Sequence, residues 1–328
     1  MANIKTSVEQ LIGNTPLLEL VNYEKKYDLK ARILLKVESV NILGSLKDRI
    51  AVAMIDALER DTDIKKGDYI VESSSGNTAI ALAAIARKRG YKFLTVVAGM
   101  TKERYDLLRA YGAEILDLAD NPDLAADFAN IAEDYRLHDL LRAYFKKRGD
   151  ADGNKYYLLA QWANEANRNI QYSTTGQEII RDTDGKVDVF VAGAGSGGSI
   201  SGISKALREV NPDLEVVLFD PPADDPDSLD GVHHVTDMPY YFLPTFFDGV
   251  KVYDKYETVT KEEAYRASNK VAIAEGAFFG VSTGAAVHLA TKLAKKPEYE
   301  GKTIVAIAYD DVLKYLSTDL INPKYQED

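Results

Sequence analysis

The stretch Asn41-Ile-Leu-Gly-Ser-Leu-Lys-Asp-Arg49 joins an apolar, strand-like run to the start of an amphipathic helix. Gly44 suits the turn, and Ser45 is a suitable N-cap for a helix predicted to run to about Glu59. Lys47 then falls in the first helical turn, where the helix dipole disfavours a cation and lowers the pKa of an amine. A neutral lysine amine is the form that makes a Schiff base with a carbonyl compound. The alternative is a solvated surface lysine.

Composition is typical of a soluble protein with two domains. The chain has 328 residues and 46% hydrophobic content, enough for a large core. Its net charge is −11, with acidic and basic residues interleaved, so neither nucleic acid nor a membrane surface is expected as a partner. There is no cysteine, which excludes disulfides and cysteine-based chemistry, and no metal site is predicted. Because no secretion signal or membrane-spanning run is evident, we expect a cytoplasmic protein.

Strands and helices alternate along the chain, which predicts an α/β fold with mostly parallel sheets flanked by helices. Helices are predicted over Asn77–Arg89 and, for the most part, over Leu124–Lys147. The alternation occurs twice, so two lobes with a cleft between them are expected. Residues 1–160 would form the N-terminal lobe and residues 161–328 the C-terminal lobe. This boundary is approximate, and the earliest residues can cross to the other lobe.

The stretch Gly193-Ala-Gly-Ser-Gly-Gly-Ser199 follows a predicted strand and opens a predicted helix. Backbone N–H groups at such a helix start bind phosphate, and glycines allow a close approach. Gly193, Gly195 and Gly198 also satisfy the G-x-G-x-x-G pattern of dinucleotide-binding folds. Asp220 lies near the end of the next predicted strand, where a ribose-binding acid is expected. An NAD-dependent dehydrogenase is therefore one hypothesis, and a turn that serves only packing is another.

Two further polar turns precede predicted helices. Ser73-Ser-Ser-Gly-Asn-Thr78 offers hydroxyls, an amide and backbone N–H groups that suit a carboxylate or a phosphate. Gly280-Val-Ser-Thr-Gly-Ala-Ala286 places the Ser282 hydroxyl where it can meet a ring nitrogen of a buried cofactor. The alternative for both stretches is ordinary N-capping of the helix that follows, by Ser75 or Asn77 in the stretch 73–78.

Together these turns resemble the motifs of fold-type II pyridoxal-phosphate (PLP) enzymes, in the group of cysteine synthase (O-acetylserine sulfhydrylase) and cystathionine β-synthase. The resemblance covers nearly the whole chain, and the order of the motifs is far more specific than any one of them. The matching stretches are Ile12-Gly-Asn-Thr-Pro-Leu17, Gly44-Ser-Leu-Lys-Asp-Arg49, Ser74-Ser-Gly-Asn-Thr78, Gln161-Trp-Ala-Asn164, Gly195-Ser-Gly-Gly-Ser199, Ser282-Thr-Gly-Ala-Ala286 and Lys314-Tyr-Leu-Ser-Thr318.

The resemblance implies a role for each motif. Lys47 would hold PLP as a Schiff base and act as the base for the α-proton, Asn77 would contact the ring hydroxyl, and Ser282 would meet the pyridine nitrogen. The residues implied for the 5′-phosphate are Gly195, Ser196, Gly197, Gly198 and Ser199. The residues implied for the substrate α-carboxylate are Ser74, Ser75, Gly76, Asn77, Thr78 and Gln161.

The implied reaction is β-replacement at an O-activated L-serine. An aminoacrylate would form with loss of the β-substituent, and sulfide would add to it to make L-cysteine. A neutral hydroxyl at the pyridine nitrogen would leave that nitrogen unprotonated and favour elimination over transamination. The resemblance also implies a homodimer and possible docking by a serine acetyltransferase.

Departures from the family pattern leave the substrates open. The segment between Met100 and Lys155 carries a longer charged, helical insertion, and Asp237 stands where the family has a small-residue turn. A carboxylate there can activate water, which would give a cysteine lyase (desulfhydrase) or a cystathionine β-synthase-like enzyme that releases hydrogen sulfide. The alternatives are a solvated flap residue at position 237 and, for the whole chain, an inactive paralogue that serves as a binding subunit.

Overall fold

The fold is known from a computed structural model, which describes residues 4–326 except 133–134, 227, 236–237, 239–242 and 249. Within these residues the strands form two sheets. In spatial order, the six-stranded sheet contains β1 (Leu17–Glu19), β2 (Arg32–Val37), β10 (Thr303–Ala308), β7 (Val189–Gly193), β8 (Glu215–Asp220) and β9 (Lys255–Thr258). The four-stranded sheet contains β5 (Glu114–Asp117), β4 (Lys92–Val97), β3 (Tyr69–Ser73) and β6 (Tyr156–Leu158).

Helices flank both sheets. They are α1 (Val21–Lys26), α2 (Lys47–Asp61), α3 (Asn77–Arg89), α4 (Lys102–Ala110), α5 (Pro122–Ala129), α6 (Leu137–Asp152), α7 (Glu165–Ile170), α8 (Gln177–Asp182), α9 (Gly198–Val210), α10 (Lys261–Glu275) and α11 (Val281–Ala294). A π-helical segment, Gln171–Gly176, joins α7 to α8. No helix in the described part of the chain is long and apolar enough to cross a membrane.

The predicted fold class is confirmed. β1 and β2 pair antiparallel, and the other strand pairs of both sheets are parallel. Central strands such as β7 and β10 are buried along their whole length, which explains their continuous apolar sequences. The six-stranded sheet takes β1 and β2 as well as the strands that follow residue 160. We keep residue 160 as a proposed boundary between the lobes.

Helix boundaries agree with the sequence where local chemistry sets them. α3 ends at Gly90, whose φ is 89°. The N-terminus of α2 differs: the helix begins at Lys47 rather than Ser45, although the Ser45 hydroxyl still accepts the Lys47 N–H at 3.1 Å.

Residues 124–147 are mostly helical, as predicted, but their helical residues belong to two separate helices, α5 and α6. The helix N-cap Arg136 is buried and pairs with Asp248 at 2.7 Å (Nη2 to Oδ2). A contact with a residue more than a hundred positions away sets this helix start, so local sequence patterns do not reveal it.

Several of the predicted motifs lie at the carboxyl ends of parallel strands. The segments that follow β3 and β7 lead directly into α3 and α9, and the segment that follows β2 reaches α2 after a short 3-10 helix, Glu38–Val40. Loops at the carboxyl ends of parallel strands are where open α/β sheets bind ligands.

Candidate active site

Lys47 lies at the start of α2, with its side chain partly buried. The preceding N–H, of Leu46, donates to the Tyr309 carbonyl at 3.0 Å and so ties the helix start to the end of β10. Burial lowers the pKa of Lys47 to about 8, while the Asp310 carboxylate acts to raise it. An appreciable fraction of this amine is therefore neutral near pH 7, as a Schiff-base lysine requires.

Asp310 is the residue at which the predicted motifs meet. Its Oδ2 accepts hydrogen bonds from Asn77 Nδ2 at 2.7 Å and from the Tyr315 hydroxyl at 2.8 Å. Its backbone forms a bridge with Ser45 and accepts the Gly280 N–H at 3.1 Å. The segments that begin α2, α3 and α11 therefore converge on one buried carboxylate. Burial raises the pKa of Asp310, although Lys314 and the Asn77 amide act to lower it.

Two polar atoms at this junction are buried without a hydrogen-bond partner in the described part of the chain. They are Asn77 Oδ1 and Asp310 Oδ1. The junction is also tight, since a Cβ at Gly280 would lie 2.1 Å from Asp310 Oδ1. Because buried polar atoms are rarely left unpaired, these two acceptors indicate a group that arrives from outside the chain.

The predicted carboxylate loop packs against Gln161, which is buried. Thr78 Oγ1 donates to Gln161 Oε1 at 2.8 Å, and Gln161 Nε2 lies 3.4 Å from the Ser73 carbonyl oxygen. Ser74 and Ser75 are partly buried, and the Ser74 hydroxyl accepts the Gly76 N–H at 3.3 Å. A Cβ at Gly76 would meet no atom within 4 Å, so open space lies next to this loop.

The glycine-rich loop has no room for side chains at three positions. A Cβ added to Gly195 would lie 2.5 Å from a backbone carbonyl oxygen, and one added to Gly197 would lie 2.6 Å from a phenylalanine ring. A Cβ added to Gly198 would lie 2.2 Å from a side-chain amide oxygen. Gly197, with a φ of 76°, is the N-cap residue of α9, and within the described part of the chain no side-chain cap is formed there. The first-turn N–H groups of α9, including that of the partly buried Ser199, are thus available for an anion.

Asn167 connects the glycine-rich loop to the carboxylate loop. Its Nδ2 donates to Ser196 Oγ at 2.9 Å and to the Gln161 carbonyl at 2.8 Å. On the opposite side, the Tyr309 hydroxyl accepts the Gly193 N–H at 3.1 Å, next to Asp310. Hydrogen bonds thus connect the glycine-rich loop, the carboxylate loop and the segment around Asp310.

Ser282 is the second residue of α11, and its hydroxyl donates to the Asp230 carbonyl at 2.8 Å. In this arrangement only the lone pairs of Ser282 are left for another partner. The Asp230 carboxylate pairs with the buried Arg104 at 2.8 Å, and the Arg104 guanidinium lies over the Tyr315 ring, 5.2 Å from its centroid. Sequence reasoning missed Arg104 and Asp230, because neither belongs to a recognisable motif.

Two predicted residues remain to be placed, Asp220 and Asp237. Asp220 is fully buried at the end of β8, where its carboxylate lies 3.8 Å from His234 Nδ1. It is not exposed for a nucleotide ribose, which removes one support of the dehydrogenase hypothesis. Asp237 lies outside the described residues.

The residues of the site fit pyridoxal phosphate. The fit rests on three observations: an amine of lowered pKa at Lys47, two orphaned buried acceptors beside it, and an uncapped helix start behind a loop that excludes side chains. These are the features that an aldehyde, polar ring substituents and a phosphate require.

Comparisons with known proteins agree with this fit. The family model described as pyridoxal-phosphate dependent enzyme matches residues 8–310. A cysteine synthase from Staphylococcus aureus is 36% identical over 319 residues, which cover 96% of this chain and 96% of that protein.

Solved structures give the same result. An O-ureido-L-serine synthase has a TM-score of 0.79 and 30% identity, with 97% of this chain and 96% of that chain covered. A hydrogen sulfide-producing enzyme from Fusobacterium nucleatum has a TM-score of 0.79 and 32% identity, with 95% and 100% covered. The dehydrogenase hypothesis is therefore set aside. The chain belongs to the pyridoxal-phosphate-dependent enzymes of fold type II, is similar to cysteine synthases, and uses pyridoxal 5′-phosphate as its cofactor.

Proposed function

We propose that this enzyme is a cysteine synthase, which replaces the β-substituent of an O-activated L-serine with sulfide to make L-cysteine. The convergence of the Lys47, Asn77 and Ser282 segments on Asp310 carries the proposal. The similarity to a cysteine synthase over 96% of the chain supports this choice of reaction.

In this proposal Lys47 would hold the cofactor, and its free amine would remove the proton from the α-carbon of the bound amino acid. A pKa of about 8 suits both tasks, because the amine exchanges protons readily near neutral pH. When bound, PLP supplies the electron sink that stabilises the α-carbanion.

The loops position the two anionic groups. Thr78 and Gln161, joined by a hydrogen bond of 2.8 Å, hold the substrate α-carboxylate together with the neighbouring loop. The other loop residues in this role are Ser74, Ser75, Gly76 and Asn77. The residues proposed for the cofactor phosphate are Gly195, Ser196, Gly197, Gly198 and Ser199.

The ring contacts complete the proposed site. Asn77 would contact the ring hydroxyl with its amide, whose Oδ1 is otherwise unpaired in the described part of the chain. Ser282 would contact the pyridine nitrogen. To donate to that nitrogen, Ser282 must release the carbonyl of Asp230, whereas if it keeps that bond it only accepts.

A second candidate is a lyase that consumes cysteine and releases sulfide, by elimination or by a cystathionine β-synthase-like replacement. The similarity to the hydrogen sulfide-producing enzyme, at 32% identity, favours it. Asp237 would then activate the water that adds to the β-carbon.

Product analysis of the purified enzyme with a substrate panel separates these candidates. We expect the fastest turnover with O-acetyl-L-serine or O-phospho-L-serine plus sulfide, and L-cysteine as the product. Faster formation of L-serine and sulfide from L-cysteine would instead establish the lyase. In that case Asp237→Asn should abolish serine release, and an unchanged rate would remove Asp237 from the mechanism.

We further propose a homodimer. Four apolar side chains beside the Lys47 loop are about half exposed or more: Val40 (58%), Ile42 (49%), Leu313 (62%) and Leu316 (48%). The Lys314 amine holds the two segments together through hydrogen bonds of 3.2 and 2.9 Å to loop carbonyls. Light scattering should give twice the 36.2 kDa chain mass, and a monomer mass would contradict this proposal. We also propose docking by a serine acetyltransferase, on the basis of the family resemblance alone.

A further inference from the structure

Glu72 is a buried carboxylate beneath the proposed substrate site. It lies near the end of β3, and its side chain joins two chain segments. Oε1 accepts the N–H of Ser73 at 2.9 Å, and Oε2 accepts the N–H of Gln161 at 3.0 Å. One segment leads into the carboxylate loop, and the other carries the glutamine of the same proposed site.

The Gln161 segment depends on this bond more than an ordinary loop does. Ala160 has a φ of 55°, a left-handed conformation that costs a non-glycine residue roughly 1 kcal/mol. The hydrogen bond from the next N–H to Glu72 holds the chain in that turn. The Gln161 side chain then reaches Thr78, at 2.8 Å.

The surroundings of Glu72 contain few charges. Glu72 lines a small, mainly apolar pocket with Trp162 and with Leu137 and His138 from α6. No cation of the described residues forms an ion pair with Glu72, and the titratable side chain that shares this pocket is His138. Burial raises the pKa of Glu72 to about 7, against the two backbone hydrogen bonds, whereas burial lowers the pKa of His138.

We propose that ionised Glu72 is a positioning residue that holds Gln161 and the Ser73 loop in the conformation that binds the substrate α-carboxylate. The inference rests on the proposed function. Both carboxylate oxygens face N–H donors, so a proton on either oxygen places a donor against a donor. One of the two backbone bonds is then lost, and the substrate site loosens as the pH falls below neutrality.

Glu72→Gln tests this inference, because its amide copies the protonated acid in shape. The holoenzyme of each variant is titrated with L-serine, and binding is read from the absorbance change of the cofactor. At about pH 8.5 we expect the Kd of the variant to be roughly ten times that of the wild type, the effect of one hydrogen bond to a charged group. At about pH 6 the ratio of the two Kd values should approach one, since the wild type is then protonated as well.

The ratio removes contributions that both proteins share, including titration of Lys47 and of the ligand amine. A ratio near one at the higher pH, or a large ratio that does not change with pH, would overturn the inference. His138→Gln is the matched control, and its Kd relative to wild type should stay constant with pH. A pH-dependent ratio for His138→Gln would make that histidine the titrating group and would also overturn the inference.

A measurement on the wild type covers the case in which Glu72→Gln does not fold. Hydrogen exchange of the peptide that contains Gln161, corrected for the intrinsic pH dependence, should lose protection between about pH 8.5 and 6. Unchanged protection would overturn the role of Glu72. If wild-type holoenzyme did not bind L-serine at all, the proposed function itself would fail, which is a distinct outcome.

Discussion

Lys47 and Arg49 are two cations on the same turn of α2, and their surroundings differ completely. Arg49 is 3% exposed, and its guanidinium forms bidentate ion pairs with Glu38 and Glu178 at 2.7 to 2.9 Å. Lys47 has one carboxylate near it, that of Asp310, and no ion pair within the described residues.

The carboxylate that pairs with Arg49 and the carboxylate beneath the proposed substrate site have pKa values shifted in opposite directions. Burial acts to raise the pKa of Glu178, but hydrogen bonds from Arg49 and Lys36 lower it to about 2. At Lys47, and at Glu72 beneath the proposed carboxylate loop, burial prevails: it brings the pKa of Lys47 to about 8 and that of Glu72 to about 7. Full pairing keeps charges fixed and supports the fold, whereas incomplete pairing leaves groups able to exchange protons near pH 7.

The largest effect expected is on catalysis. Lys47→Ala should lower turnover by roughly 10³-fold or more, because it removes both the proposed Schiff-base amine and the base. Its free energy of unfolding should not fall, since no ion pair is lost. Borohydride reduction followed by mass spectrometry should attach the cofactor to the Lys47 peptide of the wild type. Retained turnover in the variant would contradict the role.

Removal of the paired cation should give the largest loss of stability. Arg49→Met leaves Glu38 and Glu178 buried without their main partner, which should cost about 3–5 kcal/mol in urea unfolding. Arg60→Met on the same helix is the matched control, because its ion pair with Asp61 is exposed. The control should leave the stability nearly unchanged, and equal losses in both variants would erase the distinction between the paired and the exposed arginine.

The next largest effect is the loss of stability in acid that comes from Glu178. The folded state lowers the pKa of Glu178 from 4.5 to about 2, so its contribution is complete above pH 4.5 and is lost as the pH falls through 2. A shift of this size corresponds to about 3 kcal/mol. Glu178→Gln should remove this dependence from the unfolding profile, and an unchanged profile would contradict it. The raised pKa of Glu72 acts in the opposite sense, because protonation below 7 favours the folded state.

The smallest effect concerns Asp310, whose carboxylate acts to raise the pKa of Lys47. Asp310→Asn weakens the acceptor of Asn77 and Tyr315, which should cost about 1–3 kcal/mol in transition-state stabilisation and weaken cofactor binding. Stability should not fall, since the variant removes a buried charge. Asp311→Asn is the control, because asparagine also accepts the N–H of Leu313 that Asp311 now caps at 2.9 Å. Equal effects at both positions would refute a special role for Asp310.

Much of the fold was predictable from local patterns. Thr260 and Glu263 form a capping box at the start of α10, and both partners lie within the four-residue stretch Thr260-Lys-Glu-Glu263. Helix ends at glycines and the apolar strands were predictable for the same reason: neighbours in sequence supply the interactions. The break between α5 and α6 was not, because Arg136 depends on the distant Asp248.

The residues of the candidate site also fall into two groups, those recognisable from local sequence and those that depend on distant partners. Glycine loops before helices, and a lysine in a first turn, can be recognised in the sequence because their chemistry is local. Glu72 and Arg104 were missed as members of the site, and the role of Asp310 in joining the motifs was not predicted. Each of the three acts through partners on other segments of the chain. The bond between Asn77 and Asp310 spans 233 residues.

The sequence by itself determined the α/β class, the order of the motifs and the family. It also predicts that Lys47 is the cofactor lysine. Only the tertiary structure decided which charges are paired. Lys47 and Arg49 both look like helix-surface cations in the sequence, yet one has its pKa lowered by burial and the other is held between two glutamates. The reason is physical: desolvation and ion pairing depend on the surrounding three-dimensional packing, which no short stretch of sequence contains.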